Sequence, residues 1–291
     1  MKTLPRLFSC SAGLLAIGAA MLALTGLRAA DADAVKMTMM HLPDGMRFAV
    51  IGAKPAHPAP TLFVLQGTLD VARRDPIYTE VARMLEPHGF ISVLLDAPAH
   101  GDDHRPDEPA ELAGWNARVD RGEDFAGDFA KRARAVLDYL VAEGYADPAR
   151  VAACGTSRGG FLAFQLAAAE PRIRFIGGIA PVAELTALRE FSATKNRALA
   201  DSLSLSHLAP RLAKRPVWIC IGNNDTRIDT DSVLAFTRAL VKATAAVQPP
   251  DVAVPVEVIV NSSVGHRSSL HDHQLLAAWL LEQFGLSPAA R

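Results

Sequence analysis

Short apolar runs alternate with longer stretches whose apolar residues recur at helical spacing, and this alternation limits the fold more than any other feature. Thr61–Leu65, Phe90–Leu95, Val151–Cys154, Phe175–Ile179, Val217–Ile221 and Val254–Val260 read as strands. Ile77–His88, Phe125–Glu143, Gly160–Ala169, Ser232–Ala243 and Leu270–Phe284 read as helices. Strands separated by helices pair in parallel through right-handed crossovers. Mostly apolar strands fit a sheet covered on both faces. Val35–His41 and Met46–Ile51 flank Leu42-Pro43-Asp44-Gly45, which is strong turn chemistry, and are expected to form an antiparallel hairpin at the sheet edge. The expected class is α/β, with a mostly parallel central sheet, helices on both faces and an antiparallel N-terminal edge hairpin.

The first 32 residues read as an address. Lys2 and Arg6 precede an uncharged run from Leu7 to Leu27, and Ala30-Asp31-Ala32 offers a small-x-small cleavage site. The run is also long enough to span a bilayer as an uncleaved anchor. Either way the rest of the chain is expected outside the cytoplasm, periplasmic or extracellular, with membrane attachment only if the segment stays uncleaved. Residues 33–291 read as one domain. Within it, 183–216 is long enough to form a small cap, and Gly101–Gly122 is a second long loop, rich in charge. With 30 basic against 31 acidic residues there is no electrostatic footprint for nucleic acid. Three cysteines are too few for a disulfide scaffold or a four-thiolate zinc site.

The chemistry sits where strands end. Gly155-Thr156-Ser157-Arg158-Gly159 follows an apolar strand and opens a helix, the pattern of a nucleophile elbow. A serine at such a tip adopts strained dihedrals, so residues two positions away must lack side chains. The helix N-terminus beneath it favours developing negative charge. A serine hydroxyl is a weak nucleophile and needs a base oriented by a third group. Asp225 follows strand Val217–Ile221 and His266 follows strand Val254–Val260, in the nucleophile–acid–base order of this elbow. Asp229 and Asp231 compete for the acid but lie where the next helix begins and suit capping. His271 and His273 compete for the base but fall at a helix start.

These residues resemble the α/β-hydrolase family, over nearly the whole chain after the address segment. The likeness is nearest to small-capped or lidless esterases and to dienelactone-hydrolase-like or prolyl-oligopeptidase-like members. It implies Ser157, Asp225 and His266 as a catalytic triad. It also implies an oxyanion hole made by two backbone N–H groups, one from Arg158 and one from Thr68 after strand Thr61–Leu65. Family members commonly read His-Gly-x there; this chain reads Gln66-Gly67-Thr68. Asp96-Ala97-Pro98-Ala99-His100-Gly101 resembles the family's D-x-P-G-H-G stretch and is read as structural, His100 included. The family's strand order puts Phe175–Ile179 between Cys154 and Cys220, too far for a disulfide, so two buried free thiols are expected.

The expected function is a secreted carboxylic-ester hydrolase working through an acyl-enzyme on a small-molecule or carbohydrate-linked ester. It needs no metal or organic cofactor. The alternatives are a serine peptidase or aminopeptidase of prolyl-oligopeptidase type and a non-catalytic binding module. Glu184 and Glu190 are candidates for binding a substrate amine, though surface solvation is the simpler role. Trp115, Phe191 and Leu203 are candidates for the pocket wall.

Overall fold

The computed structural model describes residues 36–286; the address segment over 1–32 lies outside them. Eight strands make one sheet in the order β1-β2-β4-β3-β5-β6-β7-β8. They are β1 (Met37–His41), β2 (Arg47–Ile51), β3 (Ala59–Leu65), β4 (Ile91–Leu94), β5 (Ala146–Thr156), β6 (Ile173–Ile179), β7 (Val217–Gly222) and β8 (Val256–Asn261). β1 and β2 pair antiparallel around the Pro43-Asp44-Gly45 turn, and β2 joins β4 antiparallel. From β4 to β8 every pairing is parallel.

Side-chain alternation along the strands splits the core in two. Phe63, Leu65, Ala153, Ile176 and Ile219 face α3 (Glu111–Asp120), α4 (Phe125–Ala142), α5 (Arg158–Ala169) and α8 (Thr230–Ala245). Leu62, Val64, Ala152, Cys154 and Trp218 face α1 (Leu69–Arg74), α2 (Glu80–Leu85) and α9 (Leu270–Gln283). Burial on both faces explains why β3, β4 and β7 are near-continuous apolar runs rather than alternating ones, whereas the outer strands β1 and β8 are partly exposed.

Three expectations are corrected. The helix expected over Ile77–His88 is a 3-10 turn at Pro76–Thr79, then α2, then another at Glu86–His88. Pro76 and Pro87 each fall in the first turn of a segment, where the missing N–H costs nothing, and so start new segments instead of continuing one. The charged loop expected over Gly101–Gly122 contains α3, whose Leu112, Trp115 and Val119 are buried. Part of its charge is turned inward: Arg118 pairs with Asp103 at 2.7 Å and Glu108 at 2.5 Å, and Arg121 reaches Glu108 at 2.8 Å. Burial pushes the Glu108 carboxyl up, but the hydrogen bonds from Arg118 and Arg121 outweigh it and hold it at about 2. The segment 183–216, expected as a cap, is a string of short helices that include α6 (Arg197–Ser202) and α7 (Ala209–Leu212). Its Leu185, Leu188, Leu205, Leu208 and Leu212 are buried in the main core, so it packs inward.

β6 lies between β5 and β7, which separates Cys154 from Cys220; both are free and buried. Burial pushes each thiol up to about 12, and Asp272 beside Cys220 adds to its shift. Neither thiol is ionised near neutrality, so both are expected to resist iodoacetamide in the native protein and to react fully in denaturant. Peptide mapping of alkylated Cys154 and Cys220 with and without guanidinium checks this.

Candidate active site

Ser157 stands between β5 and α5 with φ 56° and ψ −117°. Such a conformation costs on the order of 1–3 kcal/mol and persists only where the surroundings enforce it. Here its amide donates to the Ile179 carbonyl at 2.9 Å, and its carbonyl accepts from Phe161 and Val182 at 3.1 and 3.2 Å. The elbow presses so closely on the end of β3 that a Cβ on Gly159 would lie 1.9 Å from the Leu65 carbonyl oxygen.

Asp225 is 2 % exposed, in the turn after β7. One carboxylate oxygen accepts from the amides of Arg227 (2.9 Å) and Ile228 (3.3 Å). The turn is tied back by Thr230, whose hydroxyl donates to the Gly222 carbonyl at 2.7 Å and accepts from the Asp225 amide at 2.9 Å. The other carboxylate oxygen lies 2.7 Å from His266 Nδ1, and His266 Nε2 lies 2.8 Å from Ser157 Oγ. With Nδ1–H donated to the carboxylate, the lone pair on Nε2 faces the hydroxyl, as a general base requires. The three side chains singled out in the sequence therefore meet at the C-terminal rim of the sheet. Their competitors do not reach this point. Asp229 caps α8 by accepting from Asp231 and Ser232, and His273 is buried against Ser268.

Thr68 and Arg158 line the same cleft as Ser157 and His266. Gln66, which stands where the family commonly has histidine, is absorbed by its own loop. Its oxygen accepts from the Gly67 amide at 2.6 Å and its amide nitrogen donates to the Thr68 carbonyl at 2.6 Å. The Thr68 hydroxyl caps α1. The amides of Thr68 and Arg158 have no acceptor among the described residues, which leaves both donors available. Asp96 braces this loop by accepting from the amides of Leu69 (2.7 Å) and Asp102 (3.0 Å), a structural role.

The cleft has a volume of about 410 Å³. Val71, Ile77 and Tyr78 form an apolar side; Glu111, Arg158 and Arg267 bring charge. Trp115 and Phe191 are core residues, not walls: both are at most 1 % exposed. Trp115 stacks near Phe125 and Phe161 and donates to the Pro98 carbonyl. Leu203 lines a different hollow, with Gln165 and Leu208. Glu184 and Glu190 do not border the cleft either. Glu184 accepts the Ser204 hydroxyl at 2.5 Å, and Glu190 pairs with Arg227 at 2.7 Å. His100 does border it, as a structural residue: its Nδ1 lies 2.7 Å from the Pro98 carbonyl and its Nε2 meets the Arg158 guanidinium. Sequence reasoning assigned no part to the side chains of Arg158, Glu111 and Arg267. Only the positions of Arg158 and Arg267, each immediately after a triad residue, hinted at them.

The model of the prolyl oligopeptidase family matches residues 122–287, which include all three triad positions. No curated protein matches the chain in sequence. Among solved structures, the chain is similar to dipeptidyl peptidase 4 of Porphyromonas gingivalis, with a TM-score of 0.61 and 17% identity over 85% of this chain and 35% of that one. It is similar to a puromycin-hydrolyzing peptidase of Mycobacterium tuberculosis, with a TM-score of 0.65 and 17% identity over 89% of this chain and 42% of that one. It is also similar to an acetyl xylan esterase from Paenibacillus sp. R4, with a TM-score of 0.64 and 16% identity over 89% and 93% of the two chains. The chain thus spans about a third of the dipeptidyl peptidase and nearly all of the esterase. At these identities the likeness is one of fold.

Proposed function

Since the chain belongs to the prolyl oligopeptidase family and is a serine hydrolase of the α/β-hydrolase type, we propose that it hydrolyses carboxylic esters through Ser157, His266 and Asp225. The observation that carries this reading is the unbroken relay of 2.8 and 2.7 Å from hydroxyl to imidazole to carboxylate, opening into a cleft. Ser157 Oγ attacks the acyl carbon while His266 Nε2 takes its proton. Asp225 holds the imidazole tautomer and stabilises its charged form. The amides of Thr68 and Arg158 receive the developing oxyanion; one such donor is typically worth about 3 kcal/mol of transition-state stabilisation. His266 then protonates the leaving alkoxide, and water hydrolyses the acyl-enzyme by the same route in reverse. The export reading of residues 1–32 rests on sequence alone and sets the compartment of this proposal.

The second reading is a peptidase, favoured by the family's name and by the likeness to peptidases. One observation weighs for the ester. Glu184 and Glu190, the carboxylates considered for a substrate amine, each hold a partner of their own and do not border the cleft. Rates on a 4-nitrophenyl acyl ester and an aminoacyl 4-nitroanilide separate the two. The ester is expected to turn over at least about a hundredfold faster, a gap of about 2.7 kcal/mol in barrier. Comparable anilide turnover would establish the peptidase instead, and a fluorophosphonate that fails to label Ser157 would favour a non-catalytic protein.

A further inference from the structure

Two arginine side chains stand in the cleft without a part in the bond-breaking steps. Arg158 follows the nucleophile, Arg267 follows the base, and both line the cleft. The Arg158 guanidinium is pinned through a single nitrogen: Nη1 donates to His100 Nε2 and, at 3.1 Å, to Glu111 Oε2. The His100 ring is itself locked by Nδ1 against the Pro98 carbonyl, so that Nε2 turns its lone pair to Arg158. Burial pulls this ring below the usual histidine range, opposed by the Pro98 hydrogen bond and reinforced by Arg158.

Pinning through Nη1 leaves Nε and Nη2 of Arg158 without partners among the described residues. Those two nitrogens form the side-on edge of the guanidinium, the edge that holds a carboxylate by two parallel hydrogen bonds. The Arg267 guanidinium has no partner among the described residues either. The cleft thus offers two cations and one carboxylate, Glu111, which is already engaged with Arg158. Arg158 also borders the oxyanion loop, since a Cβ on Gly67 would lie 3.9 Å from its Nη1.

We propose that the cleft selects esters bearing a free carboxylate near the scissile bond, received by the open edge of Arg158 with Arg267 alongside. This rests on the ester-hydrolase reading and narrows its substrate class. The carboxylate can belong to the acyl group or to the leaving group, and two matched pairs distinguish these. For the acyl side, 4-nitrophenyl hemisuccinate is compared with 4-nitrophenyl butyrate; for the leaving side, 4-acetoxybenzoate is compared with 4-acetoxybenzamide. In one pair the anionic ester is expected to show about tenfold or greater advantage in kcat/KM, carried mainly by KM, the scale of a hydrogen-bonded charge pair. The advantage should shrink in high salt. It should fall to near parity in the Arg158→Gln/Arg267→Gln double variant and persist in part in Arg158→Lys. The neutral partner of each pair normalises any loss of general activity in the variants. Equal turnover of anionic and neutral esters by the wild type overturns the inference, as does an advantage that survives the double variant. A preference for a cationic aminoacyl ester would also overturn it, with Glu111 as the receptor. Failure of the ester-hydrolase reading itself would look different: none of the esters, neutral ones included, would be turned over.

Discussion

Ser157→Ala is expected to lower kcat on acyl esters by about a millionfold, and Asp225→Asn by about ten-thousandfold, with both proteins folded. The two losses differ because the two residues act differently. Without Oγ no acyl-enzyme forms, and only orientation and the oxyanion donors remain. Alanine makes no new demand on the elbow, since the Ser157 hydroxyl bonds to His266 and caps nothing. In Asp225→Asn the amide oxygen of the new side chain can still accept from the amides of Arg227 and Ile228, so the turn survives. The NH2 of that side chain, turned to His266 Nδ1, stabilises the tautomer that carries the proton on Nε2, and that tautomer cannot take one from Ser157. Single-turnover assays and thermal unfolding of both variants check this pair of outcomes. A Ser157→Ala protein that keeps more than about a thousandth of the wild-type kcat would remove Ser157 from the mechanism.

The parts of this site that can be read from the sequence are those dictated by backbone geometry. Gly155, Ser157 and Gly159 declare a tight strand-to-helix turn because nothing larger fits. Asp225 and His266 stand out because each falls just past an apolar strand, at the rim where the ends of parallel strands gather. The inner strands β3, β4 and β7 are legible because burial on both faces makes them mostly apolar. What escapes is set by tertiary pairing. α3 is masked by arginines and glutamates that carry the look of a solvated loop, although Arg118 is only 4 % exposed and Glu108 is closed to water by its two arginines. Trp115 looks like a wall of the pocket, yet its indole is spent on Pro98, the same carbonyl that anchors His100. The contact of Arg158 with His100 spans 58 positions of sequence and has no local signature. The inward packing of 183–216 is likewise decided by a core that no short window reveals.

Gly159→Ala is expected to damage both stability and turnover, and by more than its neighbours. An added Cβ would lie 1.9 Å from the Leu65 carbonyl oxygen, 2.4 Å from its carbon and 2.7 Å from the Gln66 nitrogen. All three are main-chain atoms, so no rotamer change gives room; α5 and the end of β3 have to part. A forced insertion into packed structure typically costs about 1–3 kcal/mol, and one with backbone on every side belongs at the top of that range. For a unit of this size that is a fall of roughly 6–12 °C in Tm, at about 2–4 °C for each kcal/mol. The displaced segment leads directly into Gln66-Gly67-Thr68, so the Thr68 amide moves away from the elbow and the oxyanion loses a donor. A further drop of about a hundredfold in kcat follows even at temperatures where the variant is folded. Gly160→Ala is the internal comparison. Its Cβ would meet Pro181 at 2.8 and 3.0 Å and the Gly155 carbonyl oxygen at 3.1 Å, none of them an atom of β3, so it should cost stability without the same loss of turnover. Wild-type Tm and kcat in Gly159→Ala would mean that β3 and the elbow are not in contact as described, and the assignment of Thr68 to the oxyanion would fall with that contact.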